Sequence, residues 1–292
     1  MKMWELLLSC LLLSQAGAKP VDENKEVNDC NYTAELLKEK LDRPYLLSTD
    51  YNTNTIYFSY TVPSKTDEGV ENFTSAYIYL NTKEYGTINN VQDGFAQSVD
   101  QKSGDVYIGG SDGIYKYDHN TKNAELLGAK DTDIWMIYFK EVLYYSVFPS
   151  QFLYTLVDGT STRFSDLEDT KVDHMVIDNE NDIFFTNETG LFSQKKGTKN
   201  AVFFANNISV RALTTDMNGK PYICLNNGVY SINKKEIKLD LVFETVDAFG
   251  LTFDSENNFV CSDDTSIYRI KADKHKCNDG PFLLQSVNLG TN

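Results

Sequence analysis

The sequence repeats itself with a period of about 38 residues, and a fixed period of that size constrains how a chain can bury a core more tightly than any local motif does. Each copy runs from an apolar strand into an Asp, then through a polar turn into an aromatic or β-branched strand. A tight turn follows, then a small residue with an apolar and an aromatic partner, and after another turn a last strand. The repeated Asp is Asp50, Asp100, Asp178, Asp216 and Asp254, and the second strand reaches Phe58, Ile108, Phe185, Cys224 and Cys261. The third strand opens with Ala76-Tyr77, Gly113-Ile114-Tyr115, Gly190-Leu191-Phe192, Gly228-Val229-Tyr230 and Ser266-Ile267-Tyr268. A divergent sixth copy has Ile134 to Phe139, Val142 to Ser146 and Phe152-Leu153-Tyr154 as its strands, with Lys140 in the Asp position.

Short β-rich segments at even spacing, separated by turn residues and almost without helical periodicity, predict blades set radially around an axis. Six copies predict an all-β, six-bladed β-propeller with four-stranded blades. A β-sandwich of similar strand count gives no reason for a recurring Asp or a recurring Gly-apolar-aromatic turn. The propeller is expected over residues 44–285, after a lead-in over 19–43 whose Thr33 to Leu41 stretch reads as helical, and before a tail over 286–292.

Residues 1–18 read as a signal peptide. Lys2 precedes Leu6, Leu7, Leu8, Leu11, Leu12 and Leu13, and Ala16-Gly17-Ala18 offers small residues for cleavage. The apolar run is too short for the roughly 20 residues that span a bilayer. The chain is therefore expected to be secreted, and no membrane partner is expected. Cys10 leaves with the signal, so Cys30, Cys224, Cys261 and Cys277 remain, an even number for an oxidising compartment. Three connectivities are possible. Cys224 and Cys261 hold equivalent places in consecutive blades, and Cys30 with Cys277 flanks the ring, so those two disulfides are expected to stabilise it. Asn31, Asn72, Asn187 and Asn207 begin N-glycosylation triplets. A net charge of −15 disfavours phosphate backbones, and no nucleic-acid partner is expected.

Catalytic patterns are sparse. Gly109-Gly110-Ser111-Asp112-Gly113 matches a nucleophile elbow in letters, but it is followed by a strand where the chemistry needs a helix. His119, His174 and His275 are the only histidines, and no two have metal-ligand spacing. Asp178-Asn179-Glu180-Asn181-Asp182 begins like a calcium loop but lacks its glycine and distal glutamate, and it aligns with the turn of the other repeats. Lys195-Lys196, Lys234-Lys235 and the lysines between Lys271 and Lys276 read as solvated turns. Lactonase-type propellers hold calcium with acidic and amide side chains at the axis, and no such set is apparent on the first strands. The expectation is a binding protein without catalytic residues, metal or cofactor.

The first strand of each blade lines the channel, where a ligand meets converging groups. The residue five before each Asp, or before Lys140, gives Tyr45, Phe95, Trp135, Asp173, Arg211 and Phe249. Four aromatics with one carboxylate and one guanidinium form the candidate site, flanked by Arg43 and His174. Interblade packing of the rings and an Asp173–Arg211 pair is the structural alternative.

Arg43-Pro44-Tyr45 leading to Asp50 through Tyr60, and Asp173-His174-Met175 leading to Phe185 and Gly190-Leu191-Phe192, resemble the insect ommochrome-binding proteins over nearly the whole mature chain. The resemblance implies a haemolymph carrier of tryptophan-derived pigments, flat fused aromatics bearing a carboxylate and an amino-acid side chain. Rings would stack on the pigment, with Arg211 on its carboxylate and Asp173 facing its ammonium. A monomer is expected. The competing readings are a calcium-dependent lactonase-type hydrolase and a protein-interaction propeller.

Overall fold

In the computed structural model, which describes residues 32–64, 71–245 and 247–272, six four-stranded antiparallel sheets surround one axis. Blade 1 opens with Tyr45–Asp50, blade 2 with Ala96–Val99 and blade 3 with Ile134–Lys140. Blades 4, 5 and 6 open with His174–Ile177, Val210–Thr215 and Gly250–Phe253. One short 3-10 turn, Ser165–Leu167, is the only helical element among the described residues.

The expected helix over Thr33 to Leu41 is instead a strand. Tyr32–Lys38 pairs antiparallel with Ile267–Ala272 and supplies the outermost strand of blade 6, so the propeller begins inside the predicted lead-in. The reason is tertiary. The ring closes by pairing its first strand with its last blade, and a seven-residue segment takes the conformation its partner offers. Glu35 fixes this closure. Its carboxylate accepts from Arg269 Nη2 at 2.8 Å and lies 3.0 Å from Lys83 Nζ of blade 1 and 3.4 Å from Lys271 Nζ. Lys83, followed by Arg269 and Lys271, holds the Glu35 carboxyl down at about 2.

The core is divided among the blade interfaces. Tyr57 and Tyr77 pack on Val106 and Ile108 between blades 1 and 2, Phe184 and Leu191 on Ile223 and Leu225 between blades 4 and 5, and Ile56 and Phe58 on Leu37 and Val260 where the ring closes. No blade can bury both faces alone, so packing follows the ring.

The repeated Asp has one job throughout. Its Oδ1 accepts the backbone N–H two residues on, at 2.9 Å in Asn52, 2.9 Å in Lys102, 2.8 Å in Glu180, 2.9 Å in Asn218 and 2.9 Å in Glu256. This Asx turn reverses the chain between the first and second strands. The recurring Gly has a steric reason. Gly190 sits at φ +143°, and a Cβ there would run into the Ala205 carbonyl of the neighbouring strand.

Two cysteine expectations fare differently. Cys30 and Cys277 lie outside the described residues, as do the signal segment, Asn31 and the tail. Cys224 and Cys261 share the apolar cluster between blades 5 and 6, but the expected bridge is not formed and both are free thiols. They pack as buried apolar groups. Burial pushes the Cys224 thiol up to about 12 and raises Cys261 well above its ordinary range.

The turn that resembled a calcium loop makes a contact across the blade interface. Lys234, expected to be solvated, reaches from blade 5 to Asp178 at 2.6 Å, Glu180 at 3.0 Å and Asp182 at 2.5 Å. An ammonium thus holds the acidic residues of that turn.

Candidate functional site

The six residues chosen by counting back from the repeat Asp all stand where the chain enters the first strands. Phe95, Asp173 and Phe249 each donate a backbone N–H to the second strand of their own blade, to Gly109, Thr186 and Ser262 at 2.9, 2.8 and 2.8 Å. All six are half-buried, so each keeps some surface at this mouth of the channel.

Four of them form a continuous arc. Phe249 and Tyr45 have ring centroids 5.6 Å apart, Tyr45 and Phe95 5.9 Å, and Phe95 and Trp135 5.4 Å. The guanidinium of Arg211 extends the arc by lying 5.0 Å over the Phe249 ring. Its Nε is buried and accepted by no group among the described residues. Asp173 does not pair with it. The Asp173 carboxylate accepts instead from Gln151 Nε2, and burial raises its pKa above the usual carboxylate range. Arg43 pairs with Asp42 at 2.8 Å.

Two aromatics escaped the sequence reading. Phe73, on the long hairpin of blade 1, packs 4.6 Å from Phe95, and Phe148 stands 6.0 Å from Trp135 with 54% of its surface exposed. Phe148 sits beside Pro149 in the second-to-third-strand turn of the divergent blade, where the other blades carry small or polar residues. That departure was the available signal. Phe73 offered none, because its reach to the mouth depends on hairpin length.

Below the arc the channel holds a cavity of about 160 Å³. Among the predicted residues only His174 lines it, beside Ser48, Gln97, Ser98, Thr214 and Thr252. Burial holds the His174 imidazole down at about 4, so it is neutral at ordinary pH. Tyr51 lines the cavity as well. Its hydroxyl donates across the axis, from blade 1 to the Thr215 carbonyl of blade 5, at 3.4 Å.

Among the described residues no group of three or more His, Cys, Asp or Glu is arranged to hold a metal ion. No described helix is long and apolar enough to cross a membrane.

Fold and site together define a six-bladed propeller with an aromatic arc at one mouth of its channel, continued by a guanidinium whose buried Nε has no partner among the described residues. Solved structures of the same fold include a gluconolactonase of Xanthomonas campestris, at 13% identity, covering 82% of this chain and 89% of that one with a TM-score of 0.63. A calcium-binding regucalcin of Agrobacterium tumefaciens matches at 10% identity, covering 86% and 97% with a TM-score of 0.62. A luciferin-regenerating enzyme matches at 11%, covering 87% and 99% with a TM-score of 0.62. At such identities the likeness is one of fold. No protein-family model matches the chain. The ommochrome-binding protein of Manduca sexta is 33% identical over 280 residues, which cover 91% of this chain and 99% of that protein. The chain belongs to the ommochrome-binding protein family.

Proposed function

We propose that this protein is a secreted, glycosylated carrier that binds an ommochrome at the channel mouth and turns nothing over. The arc of Phe249, Tyr45, Phe95 and Trp135, continued by Arg211, is the observation that supports it. A flat fused ring system lies on aromatic faces and edges. A pigment carboxylate would satisfy the Arg211 guanidinium in bidentate fashion. Asp173, already engaged by Gln151, is the weaker member and would meet a pigment ammonium only at its free edge.

Size favours the mouth over the channel as the seat of the rings. A cavity of about 160 Å³ is below the ~300 Å³ at which pockets for drug-sized ligands begin. A hydrolase of the lactonase type would need oxygen ligands for calcium at this mouth, and Phe95, Trp135, Phe249 and Arg211 offer none. The carrier acts as a monomer in this reading, without cofactor, nucleic acid or membrane. The triplets at Asn72, Asn187 and Asn207 would carry their glycans on described parts of the propeller.

The test is xanthommatin titration by absorbance or fluorescence. Trp135→Ala and Arg211→Ala are each expected to weaken binding about tenfold or more, the equivalent of about 1.4 kcal/mol. Folded variants that bind as tightly as the parent would place the site elsewhere. The absorbance spectrum of natively purified protein is a second check, since a bound visible chromophore fits neither the hydrolase nor the protein-interaction reading.

A further inference from the structure

The cavity under the aromatic arc is too well furnished to be only a gap between blades. Tyr51, whose hydroxyl crosses the axis to the Thr215 carbonyl, is part of its lining. Its lining contains no Asp, Glu, Lys or Arg. Some of its polar atoms are occupied within the protein: Thr49 and Thr252 share a hydrogen bond of 3.0 Å, and Ser98 Oγ accepts from the Phe139 N–H at 2.8 Å. Gln97, only 6% exposed, donates its Nε2 to the Leu46 and Phe95 carbonyls at 2.8 and 3.2 Å, and its Oε1, which has no donor among the described residues, is packed away from the cavity space. No hydrogen bond among the described residues reaches the His174 imidazole, which also lines the cavity.

A neutral imidazole keeps one ring nitrogen as an acceptor, and a water or ligand group in the cavity can supply its donor. The volume sets the size of that ligand group. About 160 Å³ corresponds to roughly five waters at ~30 Å³ each, and an engineered cavity of ~150 Å³ holds one benzene. The absence of charged lining residues sets its charge, because an ion moved there would lose hydration with no counter-ion.

We propose that this cavity is a second subsite, beneath the arc, that takes a neutral hydrogen-bond donor of about phenol size, given to the unpartnered His174 imidazole. As a subsite of the pigment it rests on the mouth reading above, where the fused rings stay on the arc and an uncharged hydroxyl- or amide-bearing edge points down the channel. The charged ends of the ligand remain at the rim with Arg211. A ligand of equal ring area whose inward edge is ionised would then be rejected.

The experiment uses the full protein with phenol, benzoate and xanthommatin, followed by calorimetry or ligand-observed NMR. Phenol is expected to bind with a Kd on the order of 1 mM, and benzoate about tenfold more weakly or worse. Ser48→Leu, which fills the cavity from its wall, should weaken phenol and xanthommatin alike by about tenfold, whereas Trp135→Ala should weaken xanthommatin and spare phenol. Thr214→Leu carries the same test from blade 5 if Ser48→Leu does not fold. Benzoate binding as well as phenol, or phenol binding untouched by either filling variant, would overturn the subsite. Pigment binding with no phenol binding removes the subsite and leaves the mouth standing, and phenol binding without pigment binding does the reverse.

Discussion

Asp254 offers a direct test of how the blades are held, because its carboxylate is fully buried and each of its contacts is defined. Oδ1 accepts the Glu256 N–H at 2.9 Å and the Asn258 N–H at 2.8 Å, Oδ2 accepts Asn258 Nδ2 at 3.0 Å, and Arg269 Nη1 lies 3.4 Å away. Asp254→Asn keeps an oxygen for the two backbone N–H groups and removes the charge, while Arg269 retains Glu35 at 2.8 Å. Asp254→Ala removes everything and leaves the Glu256 and Asn258 N–H groups without their acceptor.

Hydrogen bonds to a charged group are worth about 1.5–3 kcal/mol each, and an orphaned buried donor costs about 1–3 kcal/mol. The Ala variant should therefore lose about 4 kcal/mol and the Asn variant about 1–2 kcal/mol. The same change at Asp100, which is half-buried and whose Oδ1 receives the Lys102 N–H at 2.9 Å, should cost only about 1 kcal/mol, because water replaces the acceptor. Urea denaturation followed by tryptophan fluorescence and circular dichroism reads all three as midpoint shifts at unchanged m. Equal losses for Asp254→Ala and Asp254→Asn would refute the reasoning, since they would make charge rather than the Asx turn the source of stability. Equal losses at Asp254 and Asp100 would refute the role of burial.

The closure by Glu35 should make the ring acid-sensitive. Its carboxyl is held at about 2 in the folded protein, so its contribution is complete above the ordinary value of 4.5 and is lost as pH falls from there toward 2. Thermal melts between pH 2 and 6 should show that slope in the parent and a smaller one in Glu35→Gln. His174 gives a slope at higher pH. Its folded pKa, at about 4, lies below the ordinary 6.5, so the folded form resists protonation and stability falls as pH drops from 6.5 toward 4. His174→Phe should flatten that part of the profile, and an unchanged profile would show that the imidazole is not held neutral. Gly190→Ala should destabilise by about 2 kcal/mol or more, since it combines a positive φ with a clash against the Ala205 carbonyl, whereas Gly197→Ala, with open space around it, should pay only for its φ, about 1 kcal/mol. Chemical denaturation of the two variants checks the ranking.

Most of the architecture was legible in the sequence, because a propeller is a one-dimensional object: five of the six copies share the turn Asp, and all share a pattern of apolar strands between polar turns. The Asp recurs because the reversal after the first strand needs a side-chain oxygen two residues before a free N–H, and only a short acidic or amide side chain reaches it. Counting from that Asp also marked where the chain enters each first strand, and Phe249, Tyr45, Phe95 and Trp135 pack together there because equivalent places in neighbouring blades adjoin. The family, too, was legible in residues the repeat does not demand, such as Arg43-Pro44-Tyr45.

What the sequence did not hold was everything that depends on who meets whom. The Tyr32–Lys38 strand read as helix because its local preference is weak, and the open edge of the last blade decides its conformation. Cys224 and Cys261 meet in the right cluster yet remain thiols, since equivalent positions fix proximity but not the geometry a bridge requires. Asp173 pairs with Gln151 rather than Arg211, and Lys234 neutralises a turn 56 residues away. Phe148, Gln97 and Tyr51 acquire their places only when six blades close on one axis, because a cavity and the atoms left unsatisfied around it are properties of the ring, written in no single repeat.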